Sequence, residues 1–476
     1  EQLMAETLRR LAVRVARHVG SNLSRNWQLL PVEIEIDGQS LSDATLLRIR
    51  ASDTPGFLYE LTHALSLAGL SILRMTIRTV GTQVQDELHV VDQRGRKITD
   101  AEQWRQLRAM IVLIQHFTHL LPQAKNPESA LVQFRELLES LLQRPQWPED
   151  LQRLEDSEVL RTLTQLLGVS EFLWQDFLKL QHENLFPVVT NLESLQSPLP
   201  VAQLAEQLRT ELAAAPPAEQ KQLLQKFRDR EMLRVDLRHV LGLQDRFGMF
   251  SRELCTVAEV LTAVTCELCL QELQASYGLP AAPDDQPIRW SCCALGKFGG
   301  EELGFASDLE LMFLYEAEGR TTGPKRLPAS EFYQRFVELF QSLLGTKQGR
   351  TFAIDLRLRP YGRAGSLAVS LSGFQKYFST DGAAWPYERQ ALVKLRPVAG
   401  DLQLGQQICQ LRDSILYAGL PFDISAMLAM REKQRHQLTQ PEVFNAKFSS
   451  GGLVDCEYLV QALQITYGHL DPSLRQ

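Results

Sequence analysis

The sequence predicts an α+β protein of several domains, and three observations predict it. Its 476 residues exceed what one core organises, so two to four domains are expected at about 100–200 residues each. Hydrophobic periodicity changes along the chain, from mixed strand and helix over 45–122, to nearly continuous helix over 128–285, to buried strands again from 286. Proline clusters at 122–127, 145–148, 198–200 and 216–217 break the helical part, because proline ends helices and opens linkers.

In order, residues 1–44 open with an amphipathic helix carrying Leu8, Leu11, Val15 and Val19, then a short strand at 32–36. Over 45–122 the pattern is strand, helix, strand, strand, helix. Leu46 to Arg50 end at the turn Ser52-Asp53-Thr54-Pro55-Gly56, a helix follows with Leu58, Leu61 and Leu65, and Gly69 closes it. Residues 71–79 and 84–92 read as strands joined through Gly81, and Trp104, Leu107, Ile111 and Ile114 mark the second helix. Residues 122–127 read as a linker. The helical domain spans 128–285, a third domain 286–415 begins with a strand at 288–295, and a last helical domain starts near 416 and runs to 476.

Composition excludes some roles. A formal charge of −7 offers no net attraction to nucleic acid or an anionic membrane, so neither partner is expected and phosphate contacts must come from local clusters such as Arg357, Arg359 and Arg363. No apolar run is long enough to span a bilayer. The expected location is cytoplasmic, and both ends read as cuts within a longer protein. Seven irregularly spaced cysteines argue against a disulfide framework. Cys266 and Cys269 fall on an apolar helical stripe and read as buried small residues; His116 and His119 share a helix face without a nearby acid.

The chemistry-bearing stretch runs from Gly296 to Tyr315. A glycine-rich turn leads into a strand on which Asp308 and Glu310 project to one side while Leu309, Leu311 and Phe313 enter the core. Paired carboxylates repel unless a divalent cation lies between them, which points to metal binding. Gly299 and Gly300 leave room for backbone amides to face a triphosphate. The segment 351–365 adds Asp355, Arg357 and Arg359 on one strand face, with Leu356 and Leu358 on the other. Three carboxylates beside two guanidinium groups suit a two-metal phosphoryl transfer.

These motifs, with Trp385-Pro386-Tyr387-Glu388-Arg389-Gln390-Ala391-Leu392, Arg396-Pro397-Val398-Ala399-Gly400-Asp401 and Gly451-Gly452-Leu453-Val454-Asp455-Cys456-Glu457, resemble those of the glutamine synthetase adenylyltransferases. That family belongs to the nucleotidyltransferase superfamily of DNA polymerase beta. Ser170 to Leu173, Phe177-Leu178 and Arg230 to Val235 are similar to the family's helical segments. Glu310 departs from the aspartate usual there. The resemblance implies a polymerase-beta-like core, ATP as substrate, two Mg²⁺ ions on Asp308, Glu310 and Asp355, and phosphates lined by Gly299, Gly300, Ser307, Arg357 and Arg359. Glu388, Gly451, Gly452, Asp455 and Glu457 carry family motifs of undefined role. Asp455 and Glu457, two apart on a helix, splay by about 200° and cannot share a metal. The implied function is transfer of AMP to a tyrosine of glutamine synthetase, in control of nitrogen assimilation. Phosphorolytic removal of AMP, or a catalytically weak nucleotide and glutamine sensor that docks on glutamine synthetase, are the alternatives. The stretch 45–100 is similar to the ACT repeats of PII uridylyltransferases. It implies a ferredoxin-like βαββαβ module, glutamine as effector near Asp53, Gly56 and Phe57, and the PII signalling protein as a further partner.

Overall fold

A computed structural model describes residues 32–54, 56–121, 124, 126–142, 164, 195–244, 246–304, 307–345, 352–440 and 443–475. The expected N-terminal helix, the segment Ser170–Leu178 and the prolines at 145–148 and 187 lie outside them. The chain divides into one unit of residues 1–198 and 229–245 and a second of residues 199–228 and 246–476.

The first unit is built on an antiparallel sheet. Its elements are β1 (Glu33–Asp37), β2 (Thr45–Ser52), α1 (Phe57–Leu67), β3 (Leu70–Thr76), β4 (Thr79–Val80), β5 (Gln83–Asp92), α2 (Ala101–Leu120) and α3 (Pro127–Leu142). Sheet order is β1-β2-β5-β3, with β4 also on β5. Alternation in β5 buries Val84, Asp86, Leu88 and Val90, and ends where Val91 is buried as well. Leu61, Leu65, Leu107, Ile111 and Ile114 of the two helices are buried with them. In place of the βαββαβ order expected over 45–122, the order is ββαββα from β1 to α2, with the two-residue β4 as an added ribbon. The outer edge of β2 is already paired by β1, in register Ile34↔Ile49 and Ile36↔Leu47, so the edge strand precedes the module and the chain continues after α2 into α3. A buried ion pair ties α3 to α1, with Arg135 Nη2 donating to Glu60 Oε1 at 2.5 Å.

The second unit contains α4 (Val201–Ala214), the first part of α5 (Pro217–Val240), α6 (Met249–Tyr277), β6 (Pro280–Ala281), β7 (Trp290–Ala294), α7 (Gly296–Gly299), β8 (Leu309–Tyr315), β9 (Arg320–Thr321), α8 (Ala329–Leu344), β10 (Ile354–Asp355), β11 (Ala368–Ser370), α9 (Leu371–Phe378), α10 (Pro386–Ala391), β12 (Arg396–Gly400), α11 (Leu402–Leu416), α12 (Ile424–Leu438) and α13 (Leu453–Tyr467). Strand β8 is antiparallel to β7, which is antiparallel to β12. Both β10 and β11 run parallel to β8 along its other edge. From Leu311 to Tyr315 every residue of β8 is buried. Phe313 packs on Phe336 and Phe340 of α8, whereas Met312 and Leu314 join Phe374, Phe378, Leu404 and Ile408 on the opposite face. A strand covered on both faces reads as a continuous apolar run, so the polar alternation of this strand stops at Glu310. Helices α9 and α10 precede Arg396–Gly400, which is the edge strand β12. Cys266, Cys269, Cys292 and Cys293 are buried thiols, and burial pushes each of them up.

Candidate active site

The carboxylates are assembled by the sheet's parallel edge. Asp308 is exposed just before β8, Glu310 is its second residue, and Asp355 on β10 sits directly beside Glu310 in register. Glu310 lies over the glycine turn: a Cβ at Gly296 would fall 1.3 Å from Glu310 Oε2, and Gly296 has φ +51°. Only glycine fits both requirements. Burial, followed by the charges of Asp355, Glu457 and Asp308, pushes the Glu310 carboxyl above its ordinary value. The charge of Lys447 opposes this without reversing it; like charges held this close favour a cation between them.

Asp355 is in a different state. Its Oδ1 accepts the Arg357 amide at 2.9 Å, and the Arg357 guanidinium donates to both oxygens at 2.9 and 2.5 Å. Burial pushes Asp355 up, but the Arg357 hydrogen bonds and charge outweigh it and the group ends below its usual value. Among the described residues no three His, Cys, Asp or Glu side chains form a ready-made ligand set. Asp308 is exposed, Glu310 is partly buried, and Asp355 faces Arg357.

The amide of residue 357 bonding back to Asp355 is a local turn that stops the strand after two residues. The expected shared face of Asp355, Arg357 and Arg359 is therefore corrected. Arg359 is 7% exposed and donates to the carbonyls of Leu356 and Gly365; it pins the loop and does not face the carboxylates' cleft. A second correction concerns the glycines. Gly299 and Gly300 amides donate to the carbonyls of Leu295 and Gly296 at 2.8 and 3.0 Å, and a Cβ at Gly299 would meet the Lys394 carbonyl at 1.8 Å. Gly299 is there for close packing, and its amide is not turned to a phosphate. Ser307 remains beside the acids, its Oγ accepting the Gly304 amide at 2.9 Å while its proton is available to donate.

A cleft of about 460 Å³ takes in Lys297, Ser307, Asp308 and Glu310 at one end and Tyr387, Gln390, Tyr458 and Gln461 elsewhere on its wall. Two residues that sequence reasoning misses organise it. Lys394, buried, donates to Glu302 and Glu457 at 2.7 Å each; burial pushes its ammonium down, and these two partners more than reverse that. Gln390 donates to Gln461 at 2.7 Å. Lys394 has no local signal because its partners lie 92 and 63 residues away.

The remaining motif residues divide between frame and cleft. Gly451, at φ +77°, precedes α13. Asp455 accepts from Arg431 at 2.5 Å and from the Gly451 amide at 2.6 Å, while Glu457 turns to Lys394. Gly452 packs among the carbonyls of Ala446, Lys447 and Ser449. Glu388 accepts the Trp385 amide at 2.8 Å and the Tyr377 hydroxyl at 3.1 Å, and so caps α10; a glutamate three residues after the cap, behind a proline, is the sequence signal for that. In the first unit, the Asp53 amide donates to Thr82 and the Phe57 amide to Thr54. Gly56, at φ 92°, caps α1 without a side-chain bond and Phe57 is buried. A cavity of about 450 Å³ in this unit is lined by Gly69, Gln93, Gln106 and Met110, at the far end of α1.

Fold and cleft define an α+β protein with an acidic, lysine-fringed cleft at the parallel edge of a mixed sheet. Residues 160–411 match the family model Glutamate-ammonia ligase adenylyltransferase, and the chain belongs to that family. It is 32% identical over 368 residues to the bifunctional glutamine synthetase adenylyltransferase/adenylyl-removing enzyme of Thioalkalivibrio sulfidiphilus, covering 74% of this chain and 37% of the relative. The protein of the same name from Pasteurella multocida is 30% identical over 372 residues, covering 75% and 36%. The chain thus spans little more than a third of these relatives' length. The family match takes in the acid cleft through Asp355 and Gln390, and leaves the ββαββα sheet and α13 outside.

Proposed function

We propose that the chain transfers AMP from ATP to a tyrosine of glutamine synthetase and releases pyrophosphate. The observation that carries this reading is the register that sets Asp355 beside Glu310, two residues after Asp308, inside the stretch that matches the family. Two Mg²⁺ ions fit this unbalanced acid cluster of hard oxygen donors. Asp308 and Glu310 would hold them, and Asp355 would join as Arg357 exchanges its carboxylate for phosphate oxygens. When bound, the ions supply charge neutralisation to the departing pyrophosphate. Lys297 and Ser307 offer donors to the phosphates from the cleft wall. Asp355 takes the proton from the incoming tyrosine hydroxyl.

The relatives' names cover both attachment and removal of AMP, and the same carboxylates serve phosphorolysis, so removal is the second reading. The first unit is proposed as an ACT-like regulatory module and the second unit's mixed sheet as a polymerase-beta-like core. The ββαββα sheet keeps the strand order of a ferredoxin-like module. Glutamine would bind near Asp53, Gly56 and Phe57, at the N-terminal end of α1 where a carboxylate is favoured, and the PII signalling protein is a further partner. The proposed place of action is the cytoplasm; no helix among the described residues is long and apolar enough to cross a membrane. Pyrophosphate release in the presence of ATP, Mg²⁺ and glutamine synthetase tests the reading. Release that needs all three and vanishes in Asp308→Asn supports it, and release indifferent to glutamine synthetase refutes it.

A further inference from the structure

A directed chain of hydrogen bonds runs along the cleft wall away from the acids. Lys394 Nζ donates to Glu457 Oε1 at 2.7 Å. A carboxylate only accepts, so Gln461 presents Nε2 to the same oxygen, at 3.3 Å. Its Oε1 is then the acceptor for Gln390 Nε2, at 2.7 Å. That order leaves Gln390 with its own oxygen unanswered. Gln390 is 2% exposed, and its Oε1 is buried without a hydrogen-bond partner, as is Oε1 of Gln434. Both residues line the cleft, together with the rings of Tyr387, Phe448 and Tyr458. An orphaned buried acceptor carries a penalty equivalent to about 5- to 150-fold in an equilibrium constant. The wall therefore lacks a donor, on a surface with aromatic rings for a flat apolar ligand to lie against.

We propose that Gln390, oriented by Gln461 and Glu457, is the specificity-determining residue for the nucleotide base, its Oε1 accepting a hydrogen bond from the exocyclic amine of a 6-aminopurine. This rests on the nucleotidyl-transfer reading of the same cleft, which puts the triphosphate at the Asp308 and Glu310 end. Gln434 adds a second acceptor. A 6-oxopurine would set its carbonyl oxygen where the amine donates to Gln390 Oε1, and its N1 proton lies elsewhere on the ring edge, so the site disfavours it. A buried amide that selects by hydrogen-bond polarity discriminates more sharply than an apolar slot, which would take either purine.

Calorimetric titration of the whole chain with Mg²⁺ and either ATP or inosine triphosphate tests this, because the second replaces the amine at ring position 6 by an oxygen and carries a proton on the neighbouring N1. The unaltered protein is expected to bind ATP about 5- to 150-fold more tightly. In Gln390→Met the ratio falls towards about one, mainly through weaker ATP binding. An unchanged ratio in Gln390→Met or no preference in the unaltered protein overturns the proposal and leaves the orphan oxygen to an ordered water. Selective binding without any AMP transfer sinks the transferase reading and keeps this one; equal transfer from both nucleotides does the reverse. Binding of neither nucleotide overturns both.

Discussion

Gly296→Ala separates the geometry of the acid cleft from ordinary backbone strain. The residue has φ +51°, and the new methyl would sit 1.3 Å from Glu310 Oε2. The left-handed conformation alone costs an L-residue about 1–2 kcal/mol. Gly242 makes a matched control: its φ is +69° and nothing lies within 4 Å of its added Cβ, so Gly242→Ala carries the backbone term and nothing else. Chemical denaturation should therefore show a loss of about 1–2 kcal/mol in both variants. Only Gly296→Ala must also drive the Glu310 carboxylate off its position between Gly296 and Asp355. That displacement should reduce AMP transfer by at least about a hundredfold, about 2.7 kcal/mol in barrier, while Gly242→Ala keeps full turnover. Transfer by Gly296→Ala within a few-fold of the unaltered chain would refute the placement of Glu310 at the reacting centre.

Asp308→Asn and Asp355→Asn should each lower Mg²⁺-dependent transfer at least about a hundredfold with the fold intact, as read by steady-state kinetics beside thermal unfolding. Glu310→Asp should be tolerated or mildly harmful and Glu310→Gln severe for turnover; an inert parent chain revived by Glu310→Asp would favour the weak-sensor alternative. Since the folded-state value of Glu310 is raised, its ionisation opposes folding, and its contribution to stability is fully present below the unfolded-state value and lost as pH rises through the folded one. Without Mg²⁺, Glu310→Gln should therefore unfold later than the parent at pH 8 and no later at pH 4, and a melting-temperature difference that is larger at pH 4 would contradict this. In the first unit, Arg135→Met strands the fully buried Glu60 and should destabilise by about 3–5 kcal/mol, most of it recovered in the double variant with Glu60→Gln. Glutamine should bind the chain near Asp53, Gly56 and Phe57 and change activity about 5- to 150-fold; no heat of binding and an unchanged rate would reduce that unit to a packing module.

The parts of the molecule that carry local signals are legible in the sequence. The helix carrying Leu58, Leu61 and Leu65 follows from apolar spacing, and the acids at 308, 310 and 355 follow from a glycine turn and short strands. What escapes depends on distant pairing. Whether the short strand at 33–37 joins a sheet is decided by the free edge of β2, which no local pattern states. Strand alternation misplaces Arg359 because a backbone-to-carboxylate bond at Asp355 ends the strand first. Glycines 299 and 300 suggest freedom of the backbone, while the fold uses Gly299 for contact with the Lys394 carbonyl. Lys394 and Gln390 take their places in the cleft wall through partners more than sixty residues away, and single-sequence reading has no access to such pairs.

The cleft at Asp308, Glu310 and Asp355 is proposed to move AMP onto glutamine synthetase, and the modified protein itself can be weighed. Glutamine synthetase incubated with this chain, ATP and Mg²⁺ is analysed by intact-mass spectrometry and then by peptide mapping. The expected result is a gain of AMP on a tyrosine of each modified subunit, dependent on Mg²⁺ and absent with Asp308→Asn. An unmodified glutamine synthetase under conditions where the chain binds ATP, or modification that persists in Asp308→Asn, would contradict it.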